Sequence, residues 1–179
     1  MYDYIRILKN AHITIARGLS SNEIRTIENI YGIVFPDELK KFFTTCLPIS
    51  DGFYNWRDLS DANIAFIKNT MESFKDNMIQ YINEIEWCDE WGNEPIEINT
   101  RNTIILNKIK SAPTLIPIYK HRAMPAINIK NTPVFSIVDT DIIYYGKNII
   151  DYLRHEFGDN SKYSMATKYN YIDFWSDLC

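Results

Sequence analysis

The sequence predicts an α+β fold: a single domain over residues 1–179, with a mostly antiparallel sheet covered by helices. Three observations lead there. The 179 residues are 46 % hydrophobic and 14 % aromatic, which is enough apolar surface to build a packed core. Up to Pro113, apolar residues recur mainly at helical spacing. After Pro113 the chain changes to short β-prone runs, without the strand–helix alternation of a Rossmann or barrel enzyme.

The first clear element opens at Ser20. Ser20-Ser21-Asn22-Glu23 has the spacing of a capping box, in which hydroxyl and carboxylate accept from each other's backbone N–H. Ile24, Ile27, Ile30 and Tyr31 then share one side, and Gly32 supplies a left-handed stop. Pro36 opens a second helix, where its missing N–H costs nothing. Asp37 and Glu38 suit its positive end, and Leu39, Phe42, Phe43 and Cys46 form the buried stripe. Residues 47–58, LPISDGFYNWRD, mix turn formers with Phe53, Tyr54 and Trp56 and read as a loop.

A third helix begins after Ser60 with Ile64, Ile67, Met71 and Phe74, and either continues or restarts through Met78, Ile82 and Ile85. Residues 87–95 read as loop, and 99–110 as a helix weakened by β-branched Thr103, Ile104 and Ile105. Four strands follow at 115–119, 126–129, 134–138 and 142–145, with Asp139-Thr140-Asp141 as a turn. Asn148 caps a helix carrying Ile149, Ile150, Tyr152, Leu153 and Phe157. A short helix with Phe174, Trp175 and Leu178 closes the chain, and the sheet is expected to be covered on one face.

Net charge is -4 and basic residues do not cluster, which argues against direct nucleic-acid binding. An acidic balance suits a basic protein partner, and equally it keeps a domain soluble. Cys46, Cys88 and Cys179 form no CxxC pair or disulfide framework. The N-terminus lacks a signal-peptide pattern, and no apolar run reaches the ~20 residues of a membrane span. The expectation is a cytoplasmic protein with no membrane role.

Catalytic chemistry finds no support in the residues. His12, His121 and His155 are scattered without ligand spacing, so no metal is expected. There is no nucleophile elbow, phosphate-binding loop or dinucleotide fingerprint, and no cofactor is expected.

The motifs in order resemble the SUKH superfamily, in its bacterial branch similar to the fungal cell-wall-synthesis regulator Smi/Knr. They are GIVFPDELKKFF, then LPISDGFYNWRD with its Trp56-Arg57-Asp58, then Trp91-Gly92-Asn93-Glu94-Pro95. APTLIPIYKHRAMP (112–125) is the most specific, followed by PVFSIVDTDIIYYGKNIIDYLRHEF and Phe174-Trp175-Ser176-Asp177. Ala123 departs from the pattern, which has a bulkier residue there. The resemblance implies an α+β domain that binds rather than reacts. For many bacterial members the role is immunity against a polymorphic or contact-dependent toxin, often a nuclease. For others it is a regulatory or scaffold role toward a protein or peptide.

Trp56, Arg57, Trp91, His121 and Arg122 are the candidate partner-binding or pocket residues. Trp56-Arg57-Asp58 is either an exposed recognition loop or a core plug with a local Arg57–Asp58 ion pair. His121-Arg122 either faces an acidic partner group, or is structural, with Arg122 paired to a carboxylate such as Asp139 or Asp58. Glu84, Glu86, Asp89, Glu90 and Glu94 surround Trp87 and Trp91: a solvated face, or a nucleic-acid-mimicking surface that blocks a basic cleft.

Overall fold

A computed structural model of the chain describes residues 3–158 and 166–179. An unpredicted helix, α1 (Asp3–Asn10), opens it and buries Ile7 and Leu8. Strands β1 (Ile15–Arg17) and β2 (Cys46–Pro48) pair antiparallel, with Ala16 opposite Leu47. Three-residue strands are too short to leave a periodic signal. Cys46 therefore belongs to a strand rather than to the expected helical stripe: its φ of -159° and ψ of 149° are extended, although its side chain is buried.

Helix α2 (Ser21–Tyr31) carries both halves of the capping box. The Glu23 N–H donates to Ser20 Oγ at 3.2 Å, and the Ser20 N–H to the Glu23 carboxylate at 2.7 Å. Gly32 ends the helix at φ 64°, a left-handed conformation that a side chain would penalise. In α3 (Asp37–Thr45), Pro36 is the N-cap and Leu39, Phe42 and Phe43 face inward. Helix α4 (Asp61–Gln80), capped by Ser60, runs unbroken past Met78. In α5 (Ile98–Ser111), the Glu97 carboxylate accepts from the Thr100 N–H at 2.9 Å.

The main sheet is an antiparallel meander of β3 (Leu115–Tyr119), β4 (Arg122–Pro125), β5 (Val134–Val138) and β6 (Asp141–Gly146), adjacent in chain order. Helix α6 (Ile149–Phe157) follows under its Asn148 cap. The second strand of the sheet lies at Arg122–Pro125, not at 126–129. Lys120, at φ 47°, closes a tight turn with His121, so the chain reverses at once and sets Ile116 opposite Met124. The closing helix expected around Phe174 is instead a set of turns. Phe174 is left-handed at φ 66°, and the Trp175 N–H bonds the Asp173 carbonyl rather than one four residues back.

Alternate strand residues enter two apolar clusters. Ile116, Ile118, Met124 and Val134 join Trp56 and the buried residues of α1, α2, α3 and α6. Leu115, Ala123, Phe135, Ile137 and Ile142 join Met78, Ile105, Ile109, Phe174 and Trp175. The sheet is thus covered on both faces, not one. A sheet buried on both sides shows apolar runs rather than alternation, as the LIPI segment does. Among the described residues, no helix is long and apolar enough to cross a membrane.

Candidate functional site

The segment between α4 and α5 contains a single 3-10 turn, Asp89–Trp91, and carries two partly buried tryptophans. The Trp87 Nε1–H donates to the Gly92 carbonyl at 2.8 Å, and the Trp91 Nε1–H to Asp177 Oδ2 at 2.7 Å. Their rings meet edge to face at 5.4 Å, and Trp91 stacks on Phe174 at 6.4 Å. The Lys108 ammonium lies 6.0 Å from the Trp91 ring. Both indoles are therefore held by hydrogen bonds and ring contacts, so little side-chain entropy is left to lose on association.

Beside them is a cleft of about 440 Å³ between the 84–87 segment, the β5–β6 turn and the chain's last turns. Glu84, Glu86, Asp141 and Asp177 bring four carboxylates to its walls, alongside Trp87. Among the described residues, no ion pair engages Glu84, Glu86 or Asp141. Glu94, by contrast, is neutralised by Arg101 at 2.6 Å, and Glu90 accepts from the Cys88 thiol at 2.8 Å. That contact holds the Glu90 carboxyl below its usual range. The acidic run thus divides into paired and unpaired members; β6 adds Asp141 to the unpaired ones, while Asp177 in the C-terminal turns is held by Trp91 and Tyr171.

The other candidate residues lie in separate surroundings. Trp56 is a core plug: it is fully buried, with Tyr31 at 5.2 Å and Phe35 at 5.3 Å, both edge to face. Arg57 does not pair with Asp58. Its Nε donates to Glu23 at 2.8 Å, and its Nη2 to the carbonyls of Arg17 and Gly18. Glu23 also accepts from Arg17, and these bonds with the Ser20 N–H hold its carboxyl far below the usual range. Gly18 is required there, because a Cβ would lie 1.9 Å from the Thr44 carbonyl oxygen. Asp58 turns instead to the start of α4, accepting from the Ser60 N–H at 2.9 Å.

His121 is exposed in the β3–β4 turn, and its pKa is lowered by partial desolvation against neighbouring side chains, with Arg122 and Lys120 adding to the effect. Arg122 points into the fold. It pairs with Glu156 of α6 at 3.1 Å rather than with Asp139 or Asp58, and donates to Ser136 Oγ at 2.9 Å. The guanidinium also sits 3.8 Å over the Tyr145 ring. Arg122 and Ser136 are cross-strand partners, so register sets this contact.

Asp177 as the acceptor for Trp91 lies 86 residues away in the chain, and Glu156 lies 34 from Arg122. No local sequence signal could have paired them. The thiols of Cys46 and Cys88 are pushed up to about 11 and that of Cys179 to about 12, chiefly by burial, so all three stay protonated at neutral pH. Among the described residues, no three His, Cys, Asp or Glu side chains form a group that could hold a metal ion.

No family model, no curated protein and no solved structure matches the chain. The likeness to the SUKH superfamily therefore stands on the motifs themselves.

Proposed function

We propose that this chain is a non-enzymatic, cytoplasmic protein-binding module that neutralises a co-encoded toxin domain, in the manner of bacterial SUKH-like immunity proteins. The observation that carries the reading is a cleft lined by four carboxylates, three of them (Glu84, Glu86 and Asp141) in no ion pair among the described residues, beside two anchored tryptophans. Carboxylates in a concave wall project negative potential, which steers and orients a basic partner such as the active cleft of a nuclease. Tryptophan supplies large contact area at low entropic cost, and it is over-represented among residues that dominate binding energy. The protonated thiols weigh against nucleophilic catalysis.

The test is titration of the purified toxin domain encoded next to this gene, at low and high salt. Glu86→Lys should slow association about tenfold at low salt and much less at high salt. Trp91→Phe, which deletes the N–H bonded to Asp177 but keeps the ring, should raise the dissociation rate. Binding that is indifferent to both substitutions and to salt would remove this face from the reading. Capture of a partner with no toxin activity would move the chain to the regulatory or scaffold role.

A further inference from the structure

An open groove of about 350 Å³ lies beside the acidic cleft. One wall is a stripe of α4 with Thr70, Ser73 and Asn77, and the facing wall is made by the hairpin tips Lys120-His121 and Val138-Asp139. The β5–β6 turn is shared: Val138 and Asp139 line the groove, while Thr140 and Asp141 line the acidic cleft. Cleft and groove are therefore two sides of one ridge. Among the described residues, Lys120 is the one Lys or Arg that lines either side. It is exposed and, although Asp139 lines the same groove, it forms no ion pair among the described residues. Its backbone is fixed at φ 47°, with its N–H on the Gly52 carbonyl at 2.8 Å and the Tyr54 hydroxyl on its own carbonyl at 2.7 Å. Glycine fits that left-handed conformation at no steric cost, so the turn itself does not need the lysine side chain. Val138 is 50 % exposed on the ridge; Phe66, one turn before Thr70, is 57 % exposed and stacks on Tyr54 at 5.7 Å. The half-buried Asn77 carboxamide makes no hydrogen bond among the described residues.

We propose that this groove takes an extended segment of the same partner that enters the cleft, a segment with an acidic side chain between apolar ones. The carboxylate pairs with the Lys120 ammonium, and the apolar side chains cover Val138 and Phe66. The Asn77 carboxamide, both donor and acceptor, bonds the segment's backbone. The proposal rests on the toxin-binding reading and extends it: the partner presents a basic surface to the cleft and an acidic segment beyond the ridge. An acidic cleft alone accepts a basic surface in many orientations. The ammonium across the ridge adds a contact that fits one of them.

The experiment is surface-plasmon kinetics of the full chain with the toxin domain encoded next to this gene, alongside thermal unfolding of each variant. Lys120→Gly should leave Tm unchanged or higher, because the left-handed turn is eased, while raising Kd about tenfold through faster dissociation. Lys120→Asn, which also tolerates that conformation, should match it, and Lys120→Arg should keep Kd within about twofold. Val138→Thr should raise Kd about threefold at unchanged Tm. The sign of the Lys120 effect is decisive. Against a partner that is basic throughout, removing a lysine relieves repulsion and tightens binding. Unchanged or tighter binding in Lys120→Gly and Lys120→Asn would overturn the proposal, and slower association in Glu86→Lys would then still leave the toxin-binding reading standing. A toxin domain that does not bind the parent chain would overturn both.

Discussion

Trp56 tests whether a tryptophan in a signature loop serves the core or a partner. Alanine there removes a fully buried side chain whose ring contacts Tyr31, Phe35 and Phe43 at 5.2, 5.3 and 6.1 Å. Large-to-small aromatic substitutions of this kind cost about 3–5 kcal/mol, and each edge-to-face pair adds about 0.5–1.5 kcal/mol beyond its burial. The wall is made of rings fixed on α2, α3 and the segment joining them, so the site collapses little and the upper half of the range applies. For a chain of this length, about 4 kcal/mol corresponds to a Tm lower by roughly 8–16 °C. Trp56→Phe keeps a ring and deletes an indole N–H that has no partner among the described residues, and should cost only about 1–2 kcal/mol. Guanidinium unfolding followed by far-UV circular dichroism measures both. A loss under about 1 kcal/mol for Trp56→Ala, or equal losses for the two variants, would refute the core assignment. Reduced partner affinity in folded Trp56→Phe would refute it independently.

Two further outcomes follow from the ion pairs. Arg122→Met should lower stability by about 3 kcal/mol in urea unfolding, because it strands Glu156, whose side chain is only 18 % exposed. Arg122→Lys should recover only part of this, since an ammonium cannot serve Glu156, Ser136 and the Tyr145 face together. Glu23, with its folded pKa depressed, contributes stability that is fully present above the ordinary glutamate value of about 4.3 and is lost as pH falls toward the folded value. Tm measured against pH should therefore fall less steeply below about pH 4 in Glu23→Gln than in the parent, and parallel curves would contradict the assignment.

Helices were legible in the sequence wherever caps and apolar spacing agreed. Ser20 with Glu23, Ser60 and Asn148 all cap as their residue types require. β3 was legible because its apolar run opens after Pro113, and β5 because its β-branched run starts after Pro133 and ends at Asp139-Thr140. β4 was displaced because Lys120-His121 carries no glycine or asparagine to announce a tight turn, although Lys120 adopts the left-handed region those residues favour. Of the site, the aromatic and acidic composition around Trp87 and Trp91 was legible, whereas its closure by Asp141 and Asp177 depended on long-range packing. Arg57 and Arg122 were each read toward a carboxylate, yet the partners came from elements that meet only in the folded chain.

The sheet divides the interior so that Trp56 and Tyr31 belong to one apolar mass while Trp87 and Trp91 rest against the other. Distant sites that share no neighbours respond to substitution nearly additively. Substitutions in the tryptophan-lined cleft should therefore leave the packing behind the opposite face of the sheet largely undisturbed. The partition works as a firewall: a change in one apolar mass does not have to be answered by repacking in the other.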